Sequence, residues 1–194
     1  MSVKGVITLA ALALLAAILF IWFGVFNISA TEKHWGVTTK LLDVVRERSI
    51  EVRSKDIKAP AMDAAVSLSK GAKNYDAMCA QCHLAPKMKP TELNLGLYPQ
   101  PPIFYQLDEE RELASTYWII KNGLKLTGMP AWGAFHTEQQ LWELALFVTK
   151  FKGMSEGKYK ELVGEGGHSH AGGEEHAPEN TDEKEHSHAE GDDH

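Results

Sequence analysis

Two cysteines occur in the 194 residues, and they stand together as Cys79-Ala80-Gln81-Cys82-His83. Three chemistries use such a pair: dithiol redox exchange, half of a zinc site, and covalent attachment of haem c. In the last, each thiol forms a thioether with a vinyl group and the adjacent histidine ligates the iron. Dithiol exchange needs the motif to follow a strand of a βαβ unit, whereas Met62 to Met78 is patterned as a helix and no strand pattern follows. A structural zinc site needs four Cys or His ligands, and the body of the chain offers only His34 and His136 beyond the motif. Haem attachment is the expectation, with Cys79 and Cys82 as covalent anchors and His83 as the proximal iron ligand.

The sixth ligand decides whether such an iron is closed for electron transfer or open to a small molecule. Met129 lies in Gly128-Met129-Pro130, where the flanking glycine and proline favour a constrained loop from which a thioether can project. Met62 and Met78 fall in the helix before the motif, Met88 is close behind His83, and Met154 follows the last patterned helix. Met129 is therefore the expected ligand. His136 is the rival, and an open position is the third alternative.

These residues need elements to hold them, and the composition changes sharply twice along the chain. Gly5 to Phe26 is apolar or glycine except for Thr8, a run of 22 residues that would rise about 33 Å as a helix and cross a bilayer core. Its length exceeds that of a signal-peptide core, so an uncleaved anchor is expected, with Trp22 and Trp35 at its outer end. Lys4 and the amino terminus mark the short end as cytoplasmic. The remainder would face the periplasm from a bacterial inner membrane. Leu41, Leu42, Val44 and Val45, mixed with charged residues, predict an amphipathic helix from Val37 to about Val52. It would serve as a stalk, a helix packed on the haem domain, or a docking surface for a membrane partner.

Six of the nine histidines lie near the C-terminus, at His168, His170, His176, His186, His188 and His194. Ten acidic residues accompany them against Lys184 alone, which accounts for the net charge of −6 and leaves the body weakly basic. A segment this polar cannot bury a core, so disorder is expected there. His-x-His units beside carboxylates also suit a divalent ion such as copper, zinc or nickel. No clustered basic surface marks a nucleic-acid partner.

From about Met62 to Lys152 the chain resembles the class I c-type cytochromes. The likeness is carried by Lys70-Gly71-Ala72-Lys73-Asn74-Tyr75 before the attachment motif and by Ile120-Lys121-Asn122-Gly123. It continues in Thr127-Gly128-Met129-Pro130-Ala131-Trp132 and a closing helix from Glu138 to Val148. It is most similar to the single-haem domains of haem-copper oxidase subunits and related membrane-bound respiratory cytochromes. The resemblance implies an all-α fold in which the first and last helices cross, with Gly71 and Tyr75 against Leu141 to Phe147. Leu84 departs from the pattern, since many relatives place glycine after the proximal histidine. Pro99, Pro101 and Pro102 deny a helix to Leu97–Phe104, which is expected to wrap the haem edge, with Tyr98, Phe104, Trp118 and Trp132 as candidate pocket residues.

The expected organisation is an anchor at 1–30, a helical connector at 31–60, a haem domain at 61–155 and a disordered tail at 156–194. The expected function is single-electron transfer by a membrane-tethered cytochrome that is not an enzyme and takes no small-molecule substrate. Its partners would be redox proteins, met freely or in a permanent membrane complex. The alternatives are a metal-binding protein working through its tail, or a haem sensor or peroxidase with an open iron.

Overall fold

The structure is a computed structural model that describes residues 2–164. All regular structure among these residues is helical. The six C-terminal histidines, with the disorder and metal binding expected around them, lie outside the described residues.

Helix α1, Val3–Trp22, starts where Ser2 Oγ accepts from the Gly5 amide at 3.3 Å, and it buries none of its side chains in the protein. It is the one helix among the described residues long and apolar enough to cross a membrane. Phe23 to Trp35 then leads into α2, Gly36–Ser54, which lies against α6, Leu113–Asn122.

The core is built on α3, Ala64–Met78, and α7, Glu138–Thr149, the most extensively packed pair. Asp63 caps α3 by accepting from the Val66 amide, and Ser67, Gly71 and Tyr75 recur at helical spacing to give it one buried face. Gly71 is what lets α7 come close. A Cβ there would lie 2.8 Å from Phe147 Cβ and within clash distance of the Glu143 carbonyl. Thr137 and Gln140 form a reciprocal capping box at the start of α7. The opposite side of the contact is made by Leu141, Leu144, Ala145 and Phe147, all fully excluded from solvent. Helix α6, Leu113–Asn122, completes the packing through Tyr117, whose ring stacks on Trp142 at 3.8 Å.

The domain extends further than the sequence suggests. Residues 156–163, expected to belong to a disordered tail, form helix α8, Glu156–Val163, capped by Ser155. It packs on α3 by burying Tyr159, Leu162 and Val163. The Tyr159 hydroxyl donates to Asp76 at 2.8 Å, and Ser69 donates to the Leu162 carbonyl at 3.0 Å. Tyr159 thereby joins Tyr75, Phe147 and Phe151 in one aromatic cluster.

Candidate haem site

Helix α3 ends at Cys79, and a single further turn, α4, Ala80–His83, carries the rest of the motif. The Cys82 and His83 amides both donate to the Cys79 carbonyl, at 3.1 and 2.9 Å. This turn sets the two thiols and the imidazole at i, i+3 and i+4, along one side of the chain. Both cysteines are free thiols. Burial, with the Cys82 sulfur nearby, pushes the Cys79 thiol up to about 12, and burial raises Cys82 as well. Neither is a thiolate at neutral pH, the reverse of what a dithiol exchange nucleophile requires.

His83 is buried, and its Nδ1–H donates to the main-chain carbonyl of Pro102 at 2.8 Å. Burial lowers its pKa below the ordinary histidine value, although the Pro102 bond works the other way. The neutral ring therefore carries its proton on Nδ1 and a lone pair on Nε2, the form in which histidine ligates a metal. Every buried side-chain nitrogen or oxygen among the described residues has a partner, whereas Nε2 has none within the protein, so that atom retains access from outside. The Phe104 ring stacks on the imidazole at 4.4 Å. The acceptor for the ring N–H is not predictable from the sequence, because it lies on the backbone of an irregular segment.

Three hydrogen bonds to backbone carbonyls hold the motif. Tyr75 donates its hydroxyl to the Leu84 carbonyl at 2.7 Å, and Asn94 donates from Nδ2 to the Cys82 carbonyl at 2.8 Å. Thr91 donates to the Gln81 carbonyl and also caps α5, Glu92–Gly96, by accepting from the Asn94 amide. Sequence reasoning missed Thr91 and Asn94. Their only signal is the cap spacing of a five-residue helix. Leu84 sits at φ +58 and ψ 166, a conformation natural to glycine, and its side chain is nonetheless buried.

Met129 lies in the loop after α6. Gly123 turns the chain there at φ +66, the Leu124 amide donates to the Met129 carbonyl at 3.2 Å, and the Met129 amide donates to Thr127 Oγ1 at 3.1 Å. The loop meets the Leu97–Phe104 segment, because Gly128 faces the Leu97 side chain so closely that a Cβ would collide with it. The same segment therefore touches the Met129 loop at one end and holds His83 at the other. Met129 is half-buried against the core. Met62, Met78, Met88 and Met154 also pack there.

His136, the rival ligand, has its ring wedged between Trp132 and Met78. Nδ1 faces the Trp132 carbonyl at 3.2 Å, and Nε2 faces Met78 Sδ at 2.9 Å. Of the candidate pocket aromatics, Phe104 covers His83, whereas Trp132 meets His136 edge-on. Tyr98 faces away toward the end of the apolar helix, where its hydroxyl accepts from the His34 amide at 2.9 Å.

The donor set fits haem: two neutral thiols on one turn and a buried neutral imidazole with an accessible Nε2. Among the described residues no group of three or more His, Cys, Asp or Glu gathers to hold a separate metal ion. Residues 66–148 match the family described as cytochrome c oxidase, cbb3-type, subunit III. No curated protein and no solved structure matches the chain. With the all-helical architecture and the attachment motif in place, residues 66–148 resemble the c-type cytochrome domains of oxidase subunits, a likeness that supports a haem-binding electron-transfer protein.

Proposed function

We propose that the chain is a membrane-tethered, monohaem c-type cytochrome that relays single electrons in a respiratory chain or as a subunit of a membrane redox complex. Cys79 and Cys82 would hold the haem through thioethers, and His83 Nε2 and Met129 Sδ would ligate its iron. The carrying observation is the neutral, oriented imidazole of His83 beside two unactivated thiols on one turn.

The haem supplies one-electron exchange between Fe(II) and Fe(III). The protein supplies orientation and shielding. Pro102 fixes the His83 tautomer and ring plane, Phe104 covers that ring, and Tyr75, Thr91 and Asn94 tie the motif backbone so that its ligands move little. Met129 is favoured over His136 because the latter is engaged with Trp132 and Met78. A closed iron needs no substrate site, so the protein is not an enzyme.

Helix α1 serves as an uncleaved anchor in a bacterial inner membrane, with the cytochrome domain in the periplasm, where haem c is attached. Anchoring raises the effective concentration of redox partners in the same membrane. Haem staining after denaturing electrophoresis tests the covalent attachment. Stain should follow the wild-type chain and be lost when Cys79 and Cys82 are both changed to serine. Stain lost from the wild type would overturn it.

A further inference from the structure

Helix α2 carries its apolar side chains on the side away from the domain. Toward α6 it presents Glu47, paired with Arg111 at 2.9 Å, together with buried Ile50 and Ser54, whose hydroxyl meets that of Ser115 at 2.9 Å. On the opposite side Val37, Leu41, Val44, Val45 and Val52 are all exposed, Val37 by 73% and Val44 by 67%. At the helical repeat these five positions fall within an arc of about 100°. A domain helix ordinarily has the reverse polarity, so this stripe calls for an apolar cover that the described residues do not provide.

Two observations identify the cover. The first is continuity with the apolar helix. Trp35, immediately before α2, packs edge-on against Phe26 at 5.2 Å and against Phe20 of α1 itself at 6.1 Å. The stripe thus begins where α1 ends, next to the exposed aromatics Trp22 and Phe23. The second is charge. Lys40, Arg48 and Lys55 are exposed along this side, Arg48 paired with Glu51 at 2.7 Å and Lys55 within 3.9 Å of Asp56. Asp43 and Glu47 are turned toward the domain side and pair with Arg46, as Glu47 does with Arg111. An exposed apolar face carrying basic residues whose long stems can reach outward to headgroups is the pattern of a helix lying in a lipid interface.

We propose that α2 lies on the surface of an anionic bilayer, with Val37, Leu41, Val44 and Val45 at the acyl boundary and Lys40, Arg48 and Lys55 at the phosphate headgroups. This rests on α1 being an uncleaved anchor. The consequence is a fixed pose. Through α2 and the His34–Tyr98 contact the domain is fastened to the membrane beside the Leu97–Phe104 segment, whose other end holds His83. The cytochrome then presents one constant side to partners embedded in the same bilayer instead of swinging on a loose tether.

Site-directed spin labelling of the full-length haem-loaded chain tests this. The protein is reconstituted at low density in vesicles of phosphatidylcholine and phosphatidylglycerol, with single cysteines replacing Leu12, Leu41, Val44 or Glu161. Relative accessibility to oxygen and to a water-soluble nickel chelate is then read. Labels at 12, 41 and 44 should favour oxygen severalfold over the label at 161. Changing Val45 and Val52 to glutamate should move the label at 44 toward the value at 161, and these exposed positions leave folding intact. Positions 41 and 44 matching 161 while 12 stays in lipid would overturn the proposal alone. Protection of 41 and 44 from both reagents would also overturn it, in favour of a second copy on the stripe. Exposure of position 12 to the chelate would overturn the anchor and this proposal together. Labelling of the unsubstituted chain separately reports whether Cys79 and Cys82 are tied up as thioethers.

Discussion

The Nδ1–H of His83 donates to the carbonyl of Pro102 at 2.8 Å, and this bond joins the attachment motif to a segment that also touches the Met129 loop. Three parts of the chain, α4, the proline-rich stretch and the loop after α6, are thereby organised around one imidazole. Proline supplies a carbonyl without an amide of its own, and the neighbouring prolines keep the segment extended. Ligand orientation is thus built into the backbone, where side-chain substitution cannot easily disturb it.

Gly71 is a contact residue rather than a flexible one. Alanine there gains helix propensity of roughly 1 kcal/mol but must push the α7 backbone at Glu143 and the Phe147 side chain away. We predict that Gly71→Ala destabilises the domain by about 1 to 3 kcal/mol in denaturant titration. An unchanged midpoint would mean that α3 and α7 do not approach this closely.

Leu84 reverses the usual order of small substitutions. Alanine removes buried methyl groups and keeps the unfavourable backbone, whereas glycine also removes the side chain but relieves a strain of about 1 to 3 kcal/mol. Leu84→Gly should therefore be more stable than Leu84→Ala by about 1 kcal/mol, although glycine is ordinarily the worse residue. The pair of melting curves decides it.

Helix α8 contributes to the core. Ending the chain after Met154 strips Tyr159, Leu162 and Val163 from α3 and uncovers Tyr75, Phe147 and Phe151. The expected cost exceeds about 3 kcal/mol, since each buried side chain of this size contributes roughly 1.5 to 3. A truncated domain that melts with the full chain would place α8 outside the cooperative unit.

Glu47 gives a pH signature. Partial burial would raise its pKa, but the hydrogen bonds and charges of Arg111 and Arg46 outweigh that and hold it below the ordinary carboxylate value. A depressed folded pKa contributes stability above the unfolded value, and that stability is lost as pH falls through the folded one. Wild type should exceed Glu47→Gln by under about 1 kcal/mol at neutral pH, given the exposure of the pair. The difference should vanish in acid. A gap that persists once the carboxyl is protonated in the folded as well as the unfolded chain would show that the ion pair is not its source.

Much of this was legible in the residues because the signals are local. Cys79, Cys82 and His83 act through their spacing on one turn, and the 22-residue apolar run declares itself by length. Gly71 and the Leu141–Phe147 face could be matched because both follow the helical repeat. The partner of His83 could not, since Pro102 contributes a backbone atom from 19 residues away. Helix α8 escaped notice because only Tyr159, Leu162 and Val163 carry its apolar face, and their burial depends on a cluster assembled from α3 and α7. The outward stripe of α2 was visible as amphipathicity. Which side faced the domain was decided by Glu47, Ile50 and Ser54, which meet α6.

The most direct test of the central claim is the optical spectrum of the purified wild type and of Met129→Ala, oxidised and reduced, with and without carbon monoxide. A methionine-to-iron charge-transfer band present in the wild type and absent in the variant, with carbon monoxide binding only to the variant, is the predicted result. A wild type that lacks the band and already binds carbon monoxide would contradict a closed electron-transfer haem.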